Sequence, residues 1–247
     1  MLLENKIALV TGSTNNIGLA IARAFAREGV RVIVHSRHGD EARKIAAEIA
    51  GDSFAADLSR PEEIDKLFAH IEAKHRRLDL LVNTVAHSTK NGILEVTFEE
   101  WSQIMAINLT AYFLCIQHAA KMMRASGGAI INISAASGER GSPGTAVYSI
   151  SKGAINALTR QAAVDLAPYN IRVNGIIAGI IGTPLGRRDM GNRKTEYDTI
   201  PLKRIGEPEE VAEAAVFLAS EKAAYITNAI LPVDGGRMNS MGSATRS

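Results

Sequence analysis

The chain has 247 residues, of which 46% are hydrophobic and 22% are charged, and its formal net charge is +2. This composition is that of an ordinary globular protein, and the near-neutral charge argues against nucleic acid or a membrane surface as partner. The single cysteine, Cys115, excludes an internal disulfide framework and favours a reducing compartment. Met1–Lys6 is too short and too charged for a signal peptide, and no apolar run approaches the ~20 residues that span a bilayer, so we expect a cytoplasmic protein.

Short apolar runs alternate with helical patterns along the chain. The runs predict strands at 7–10, 30–34, 53–55, 78–82, 129–133, 171–177 and 229–233. Helices are predicted from Ile17 to Gly29, over 40–50, from Pro61, over about 99–125 and over about 147–167. This rhythm indicates an α/β fold, with a doubly wound parallel sheet of about seven strands and helices on both faces. We expect a single domain over residues 1–241 and a flexible C-terminal tail at 242–247.

A glycine-bearing turn, Thr11 to Gly18, joins the first strand to the first helix. Free backbone N–H groups and the helix dipole make such a turn a binding site for anions. Gly12 would permit the tight turn, and Gly18 would let the helix pack closely on the sheet. The turn therefore indicates a nucleotide phosphate site, although an ordinary strand-to-helix connection remains an alternative.

Tyr148 and Lys152 are four residues apart and fall on one face of a predicted helix. A neighbouring ammonium favours the phenolate form of tyrosine and so lowers its pKa. Lowering that pKa from about 10 to about 7 takes roughly 4 kcal/mol, which a close, partly desolvated cation can supply. Taken alone, this spacing is also typical of a solvated helix, so the pair gains meaning only from the rest of the chain.

Several motifs together resemble the short-chain dehydrogenase/reductase family, and most closely its 3-oxoacyl-(acyl-carrier-protein) reductase-like branch. They are Thr11-Gly12, Asn16, Gly18, Asp57, Asn83, Asn108, Tyr148, Lys152, residues 201–212 and residues 233–236. The similarity runs from about residue 5 to residue 238. It implies a Rossmann-type fold and transfer of hydride between a nicotinamide cofactor and a ketone or alcohol. It also implies a homotetramer with the helices around 101–125 and 147–167 and the last strand at its interfaces.

The resemblance also implies which residues contact the cofactor. These are Gly12, Ser13, Thr14, Asn15, Asn16, Ile17, Gly18, Ser36, Arg37, Asp57, Leu58, Asn83, Ala86, Tyr148, Lys152, Gly179 and Thr183. Asp57 and Leu58 would lie against the adenine and Asn83 near its ribose. Two asparagines, Asn16 in the phosphate turn and Asn228 before the last strand, stand where the family has glycine.

The end of the second strand favours NADP(H) over NAD(H). An acid there would grip the ribose 2′-hydroxyl of NAD, whereas a basic group accommodates the 2′-phosphate of NADP. Ser36 stands where the acid would be, and Arg37 offers a fork-shaped phosphate partner. A solvated arginine beside a neutral loop is the alternative.

Family similarity assigns three catalytic roles. Tyr148 would be the general acid/base, and Lys152 would lower its pKa and hold the nicotinamide ribose. Asn108 would anchor a water that relays protons to the lysine. Taken alone, this residue is better interpreted as a buried structural asparagine, but its company with Tyr148 and Lys152 favours the relay role.

The fourth family position, a serine thirteen residues before the tyrosine, is Ala135 in this chain. Loss of one such hydrogen-bond donor typically costs about 10²–10³ in rate. Ser134 is expected to face away from the pocket, and Ser137 to share the side of Ala135 if the chain stays extended. Three alternatives follow: an enzyme with a substitute donor such as Ser137 or water, a weakly active or inactive NADP-binding subunit, or non-redox chemistry in the same pocket.

The substrate side is less defined. Residues 182–199 stand where the family has its mobile substrate loop, and Arg187 is among its basic residues, which suit a small anionic molecule or an acyl thioester. A solvated polar loop is the alternative. His87 follows the fourth strand, at the sheet edge where ligands bind, and is a further substrate candidate. The six histidines show no ligand spacing, so no metal site is predicted.

Overall fold

The computed structural model describes residues 1–184, 186 and 199–238. Arg187, most of the predicted loop at 182–199 and the predicted tail at 242–247 lie outside the described residues. The strands are β1 Ile7–Val10, β2 Arg31–Ser36, β3 Asp52–Ala55, β4 Leu80–Asn83, β5 Gly128–Ala135, β6 Ile171–Ala178 and β7 Ile230–Val233. The α-helices are α1 Asn16–Arg27, α2 Gly39–Glu48, α3 Pro61–His75, α4 Phe98–Met105, α5 Ala111–Met123, α6 Ser137–Arg140, α7 Ala146–Leu166 and α8 Pro208–Ala219.

The seven strands form one sheet in the order β3-β2-β1-β4-β5-β6-β7, and every neighbouring pair is parallel. This confirms the predicted doubly wound α/β architecture. The strand order reverses between β1 and β4, so the connections that leave these two strands diverge to opposite faces of the sheet. In such sheets the divergence opens a crevice at the carboxyl ends of the strands, where ligands bind.

The sheet is buried on both faces, which explains why its strands are continuous apolar runs. In β1, Ala8 and Val10 pack on one face with apolar residues of α1, α2 and α8. Leu9 lies between them and packs on the opposite face with α3, α5 and α7. Alternate strand residues thus belong to different halves of the core. None of the helices in the described part of the chain is long and apolar enough to cross a membrane.

Two local features differ from the expected elements. The single helix predicted over 99–125 is α4 and α5 joined by a π-helical turn at Ala106–Thr110. Such wider turns occur mostly within helices and often at functional sites. The short helix α6 follows β5 directly and was not predicted. Both features lie close to predicted catalytic residues.

The two asparagines at family glycine positions adopt left-handed backbone conformations. The φ angle is 50° at Asn16 and 65° at Asn228. Asparagine tolerates this region better than most residues that carry a side chain. The replacement of glycine at these two positions is therefore compatible with the backbone path that the family glycines would give.

Candidate active site

A cleft of about 1530 Å³ opens at the carboxyl ends of the strands, lined by residues that follow β1, β2, β4, β5 and β6. Most of the predicted site residues meet there, on elements far apart in the chain. They are Gly12, Thr14, Asn15, Asn16, Ile17, Gly18, Ser36, Arg37, Asp57, Leu58, Ala86, His87, Ala135, Ser137, Tyr148, Lys152, Gly179 and Thr183. Among the described residues, no three His, Cys, Asp or Glu side chains are arranged to hold a metal ion.

Three other predicted residues, Ser13, Asn83 and Asn108, have buried side chains behind the cleft wall. The Ser13 hydroxyl donates to the Val10 carbonyl at 2.7 Å. The Asn83 side-chain amide donates to Asn132 Oδ1 at 2.9 Å, between adjacent strands. These side chains form hydrogen bonds within the protein interior. We therefore expect them to support the site without lining the cleft.

The glycine turn has the shape that the sequence predicts. Gly12 has a φ angle of 65°, in the region that favours glycine. A Cβ on Gly18 would lie 2.2 Å from the Gly12 carbonyl oxygen, which no side chain permits. The first turn of α1 contains no acidic residue, and Asn15 does not cap it with its side chain. The N-terminus of α1 therefore presents backbone N–H groups and positive dipole to the cleft, and its own first turn supplies no carboxylate.

A buried histidine, His35, supports this turn from behind. The Gly12 N–H donates to His35 Nδ1 at 3.0 Å, and His35 Nε2 lies 3.1 Å from the Ala56 carbonyl. Because Nδ1 accepts, the proton of the neutral ring is on Nε2, where it donates to Ala56. Burial lowers the pKa of His35 to about 4, against the opposing effect of the Ala56 carbonyl. The ring thus joins the glycine turn to the segment that precedes Asp57.

The carboxyl end of β2 carries a neutral residue followed by a cation. The buried Ser36 hydroxyl accepts from the His38 N–H at 3.1 Å. Arg37 is exposed and lines the cleft. Burial acts to raise the pKa of Asp57, but hydrogen bonds from Ser59 and the charge of Arg37 outweigh it and hold that pKa below its ordinary value. This end of the cleft can therefore attract an anion at Arg37.

Tyr148 and Lys152 lie on the same face of α7, and both line the cleft. The Lys152 side chain is buried, and its Nζ donates to the Ile133 carbonyl of β5 at 3.0 Å. The same Nζ lies 5.6 Å from the centroid of the Tyr148 ring. Burial lowers the pKa of Lys152 to about 7. Lysine and phenol are thus adjacent, and the ammonium is close to its point of deprotonation at neutral pH.

Asn108 lies in the π-helical turn and connects two walls of the site. Its Oδ1 accepts from the His87 N–H at 2.7 Å, and its Nδ2 donates to the His87 carbonyl at 2.9 Å. The same Nδ2 donates to Ser151 Oγ at 3.0 Å. One amide therefore fixes the segment after β4 against the helix that carries the Tyr–Lys pair.

The end of β5 corrects one sequence expectation. The chain does not remain extended after Ala135, because Ala136 is helical and α6 begins at Ser137. Ser137 nevertheless lines the cleft, and within the described chain its buried Oγ has no hydrogen-bond partner. The Ser134 hydroxyl donates to the Lys152 carbonyl at 3.0 Å. The Ser134 hydroxyl thus helps to attach α7 to the sheet, whereas the Ser137 hydroxyl forms no such bond within the described residues.

Comparisons with known proteins agree with this geometry. A family model described as enoyl-(acyl carrier protein) reductase matches residues 12–238. The 3-oxoacyl-(acyl-carrier-protein) reductases of Chlamydia trachomatis and Aquifex aeolicus are 37% and 36% identical, over 95% of this chain and 98% of each relative. Human dehydrogenase/reductase SDR family member 4 is 35% identical, over 95% of this chain and 88% of the relative. The chain belongs to the short-chain dehydrogenase/reductase family.

As a member of the short-chain dehydrogenase/reductase family, the chain is an oxidoreductase, and its resemblance to the 3-oxoacyl-(acyl-carrier-protein) reductase-like branch is confirmed. Among the residues of the cleft region that sequence reasoning missed, two have polar contacts with the glycine turn. His35 is hidden in the sequence because it continues the apolar run of β2. Glu41 lines the cleft beside the glycine turn, where the Thr14 hydroxyl donates to its carboxylate at 3.4 Å. Its only signal was an acidic residue in the first turn of α2.

We predict that His35 makes stability depend on pH. As pH falls from about 6.5 towards about 4, His35 becomes protonated in the unfolded chain but stays neutral in the folded protein. The free energy of unfolding therefore decreases over this range. The loss is about 1.4 kcal/mol per pH unit and roughly 3 kcal/mol in all, with no loss above pH 6.5. Urea melts across this range should show the decrease in the wild type and not in His35→Asn. The exposed His38→Asn serves as control and should retain it. Parallel pH curves for wild type and His35→Asn would contradict the prediction.

Proposed function

We propose that this protein is an NADP(H)-dependent carbonyl reductase or alcohol dehydrogenase in which Tyr148 is the general acid/base. The observation that carries the proposal is that Tyr148 and the buried Lys152 line the same cleft as the glycine turn at the start of α1. A phosphate-binding turn and a proton-transfer pair in one cavity are the two parts that a nicotinamide-dependent reaction requires.

The residues present fit a dinucleotide. The close approach of Gly18 to Gly12 and the uncapped start of α1 leave backbone N–H groups for a pyrophosphate. The further contacts we propose lie on both sides of this turn, at Thr14, Asn15, Asn16, Ile17, Ser36, Arg37, Asp57, Leu58, Ala86, Gly179 and Thr183. When bound, the nicotinamide would supply or accept hydride, and the protein would supply binding, orientation and the proton.

Arg37 supports NADP(H) over NAD(H), since it is an exposed cation at the end of β2 and the neutral Ser36 precedes it. Glu41 is a carboxylate in the same region and would favour a ribose hydroxyl over a phosphate. We assign the larger influence to Arg37 because a guanidinium forms paired hydrogen bonds with phosphate.

We predict that Arg37→Ala weakens NADPH binding by about tenfold, equivalent to one charge-assisted hydrogen bond, and leaves NADH binding nearly unchanged. Glu41→Gln should not weaken NADPH binding. The control is Arg43→Ala, which removes an exposed arginine that pairs with Asp40 on α2. Titration calorimetry measures the affinity of the wild type and of each variant for NADPH and for NADH. An equal loss of affinity for NADPH and NADH in Arg37→Ala would contradict the assignment.

In the proposed mechanism, Tyr148 gives its phenolic proton to the substrate oxygen during reduction and takes it back during oxidation. The Lys152 ammonium favours the phenolate through its positive charge. Because burial brings the Lys152 pKa to about 7, an anionic ligand in the cleft would strengthen this effect by favouring the charged lysine. Asn108 holds the His87 backbone and Ser151 in register with the pair, and we retain its predicted role as anchor of the proton relay.

We propose a ketone or an acyl thioester as the substrate. Two of the relatives are reductases of 3-oxoacyl groups on acyl carrier protein. His87 and Ser137 line the cleft on the Tyr148 side and are the described candidates for substrate contact.

We also propose that the enzyme is a cytoplasmic homotetramer. A shallow groove between α5 and α7, with Phe113 and Leu158 in its lining, supports the predicted interface, and a monomeric mass in sedimentation equilibrium would contradict it.

The reductase proposal predicts cofactor turnover that depends on Tyr148. Nicotinamide absorbance should change with at least one member of a panel of ketones and 3-oxoacyl thioesters. Tyr148→Phe should lower kcat/KM by about 10²–10⁴, the usual contribution of a positioned acid/base. Tyr225→Phe, which alters a fully exposed tyrosine, should not change it. Tight NADPH binding without turnover in either direction would exclude the reductase reaction.

Ala135 supports a second candidate, since the family donor is missing from the cleft wall. The protein would then be a weakly active or inactive NADP-binding subunit, or would catalyse a non-redox reaction with Tyr148 as base. We favour a substitute donor, Ser137, because it lines the cleft and its hydroxyl has no hydrogen-bond partner within the described chain; a change of rotamer would turn that hydroxyl towards the cleft. Product formation without cofactor turnover would instead identify the non-redox reaction.

The Ser137 assignment predicts a reciprocal pair of variants. Ser137→Ala should lower kcat/KM by about 10², and adding Ala135→Ser to that variant should restore it, because one oxyanion donor is worth about 10²–10³. Ser126→Ala, far from the cleft, is the control. No loss in Ser137→Ala would exclude the substitute donor. A rate of zero that Ala135→Ser leaves unchanged would favour the binding subunit.

A further inference from the structure

Tyr112 lies against Lys152 but is not among the residues that line the cleft. It is on α5, just after the π-helical turn, and its side chain is fully buried. The Lys152 Nζ lies 5.6 Å from the centroid of the Tyr112 ring and 5.6 Å from that of the Tyr148 ring. The ammonium is therefore flanked by two aromatic rings, only one of which belongs to the predicted catalytic pair.

Tyr112 and Lys152 also meet at one main-chain carbonyl. The Ile133 oxygen accepts from Lys152 Nζ at 3.0 Å and from the Tyr112 hydroxyl at 3.2 Å. The same hydroxyl lies 3.0 Å from the Val85 carbonyl. A phenol has one hydrogen and can serve only one of these acceptors at a time. When it donates to Val85, the Ile133 carbonyl is left to the ammonium.

The buried surroundings of Lys152 disfavour its charged form. Neutral groups that attract an ammonium can therefore help to keep the lysine charged. Burial lowers the pKa of Lys152 to about 7. Burial, reinforced by Tyr148 and Cys115, raises the pKa of Tyr112 well above its ordinary value, and burial raises that of Cys115 to about 12. Tyr112 and Cys115 therefore remain uncharged at neutral pH. The face of a neutral aromatic ring attracts an ammonium without placing a second charge in the core.

We infer that Tyr112 is a positioning residue for Lys152, which it holds beside Tyr148 through its ring face, while its hydroxyl donates to the Val85 carbonyl and leaves the Ile133 carbonyl to the ammonium. This inference rests on the proposed function, in which the lysine must be charged and close to the catalytic phenol. An aliphatic side chain at this position could fill the space but would provide neither the ring face nor the hydroxyl. Tyr112 thus acts through Lys152 and does not contact the substrate.

A direct test needs no turnover. In protein labelled with ¹³C at lysine Cε, the Lys152 resonance is identified by its absence from Lys152→Met, and its shift is followed against pH. Tyr112→Leu should lower the Lys152 pKa by about one pH unit, the size of a desolvated cation–π contact. Tyr112→Phe keeps the ring and should lower it by less than half as much. Ile116→Val, a conservative change at another buried position on α5, should leave it unchanged.

A Lys152 pKa in Tyr112→Leu that is equal to the wild-type value, or higher, would overturn the inference. This outcome is separate from failure of the proposed function, because the resonance titrates whether or not the enzyme turns over. If the enzyme is active, kcat/KM for alcohol oxidation should rise with pH as Tyr148 loses its proton. In Tyr112→Leu this rise should move to higher pH, because a less charged Lys152 lowers the Tyr148 pKa by a smaller amount. An unmoved rise would contradict the positioning role, and a merely structural role would change the thermal stability alone.

Discussion

The Lys152 ammonium imposes the constraint on which this active site depends. An amine buried in the core loses hydration, and this cost must be offset by close partners. The partners are the Ile133 carbonyl and the two tyrosine rings, which requires α7 to lie tightly on β5. Glycine also brings α6 against α7 beside this lysine, because a Cβ on Gly138 would lie 2.6 Å from the Gly153 nitrogen. The contact of α7 with β5, where Lys152 meets the Ile133 carbonyl, is therefore part of the support of one buried cation.

The opposite end of the cleft follows a different principle. There the ligand would be anionic, and the protein supplies backbone N–H groups and a helix dipole in place of a buried charge. His35 supports this arrangement as a neutral base, since its pKa of about 4 keeps it uncharged at neutral pH while it accepts the Gly12 N–H. A second buried charge is thereby avoided. One sheet edge thus combines a buried lysine with a glycine turn built from uncharged groups, and the exposed Arg37 lies in the same cleft as that turn.

The sequence predicted the sheet and most of the cleft because these depend on short-range patterns. Apolar runs mark strands buried on both faces, and Gly12, Gly18, Tyr148 and Lys152 have spacings with a local geometric meaning. The features that were missed depend on contacts distant in sequence. Tyr112 lies inside an apolar run of α5, and its spacing alone does not reveal that its hydroxyl reaches Val85 and Ile133. The π-helical turn and α6 likewise follow from tertiary packing.

The replacement of the family serine by Ala135 acquires a structural meaning from its surroundings. Ser134 cannot move into that role, because its hydroxyl is bound to the Lys152 carbonyl and helps to seat α7. Ser137 has no such commitment in the described chain, and α6 places it at the cleft wall. This lack of a partner among the described residues is the observation on which the proposed donor role of Ser137 rests. The local turn that contradicts an extended chain after β5 is therefore what brings a candidate donor to the site.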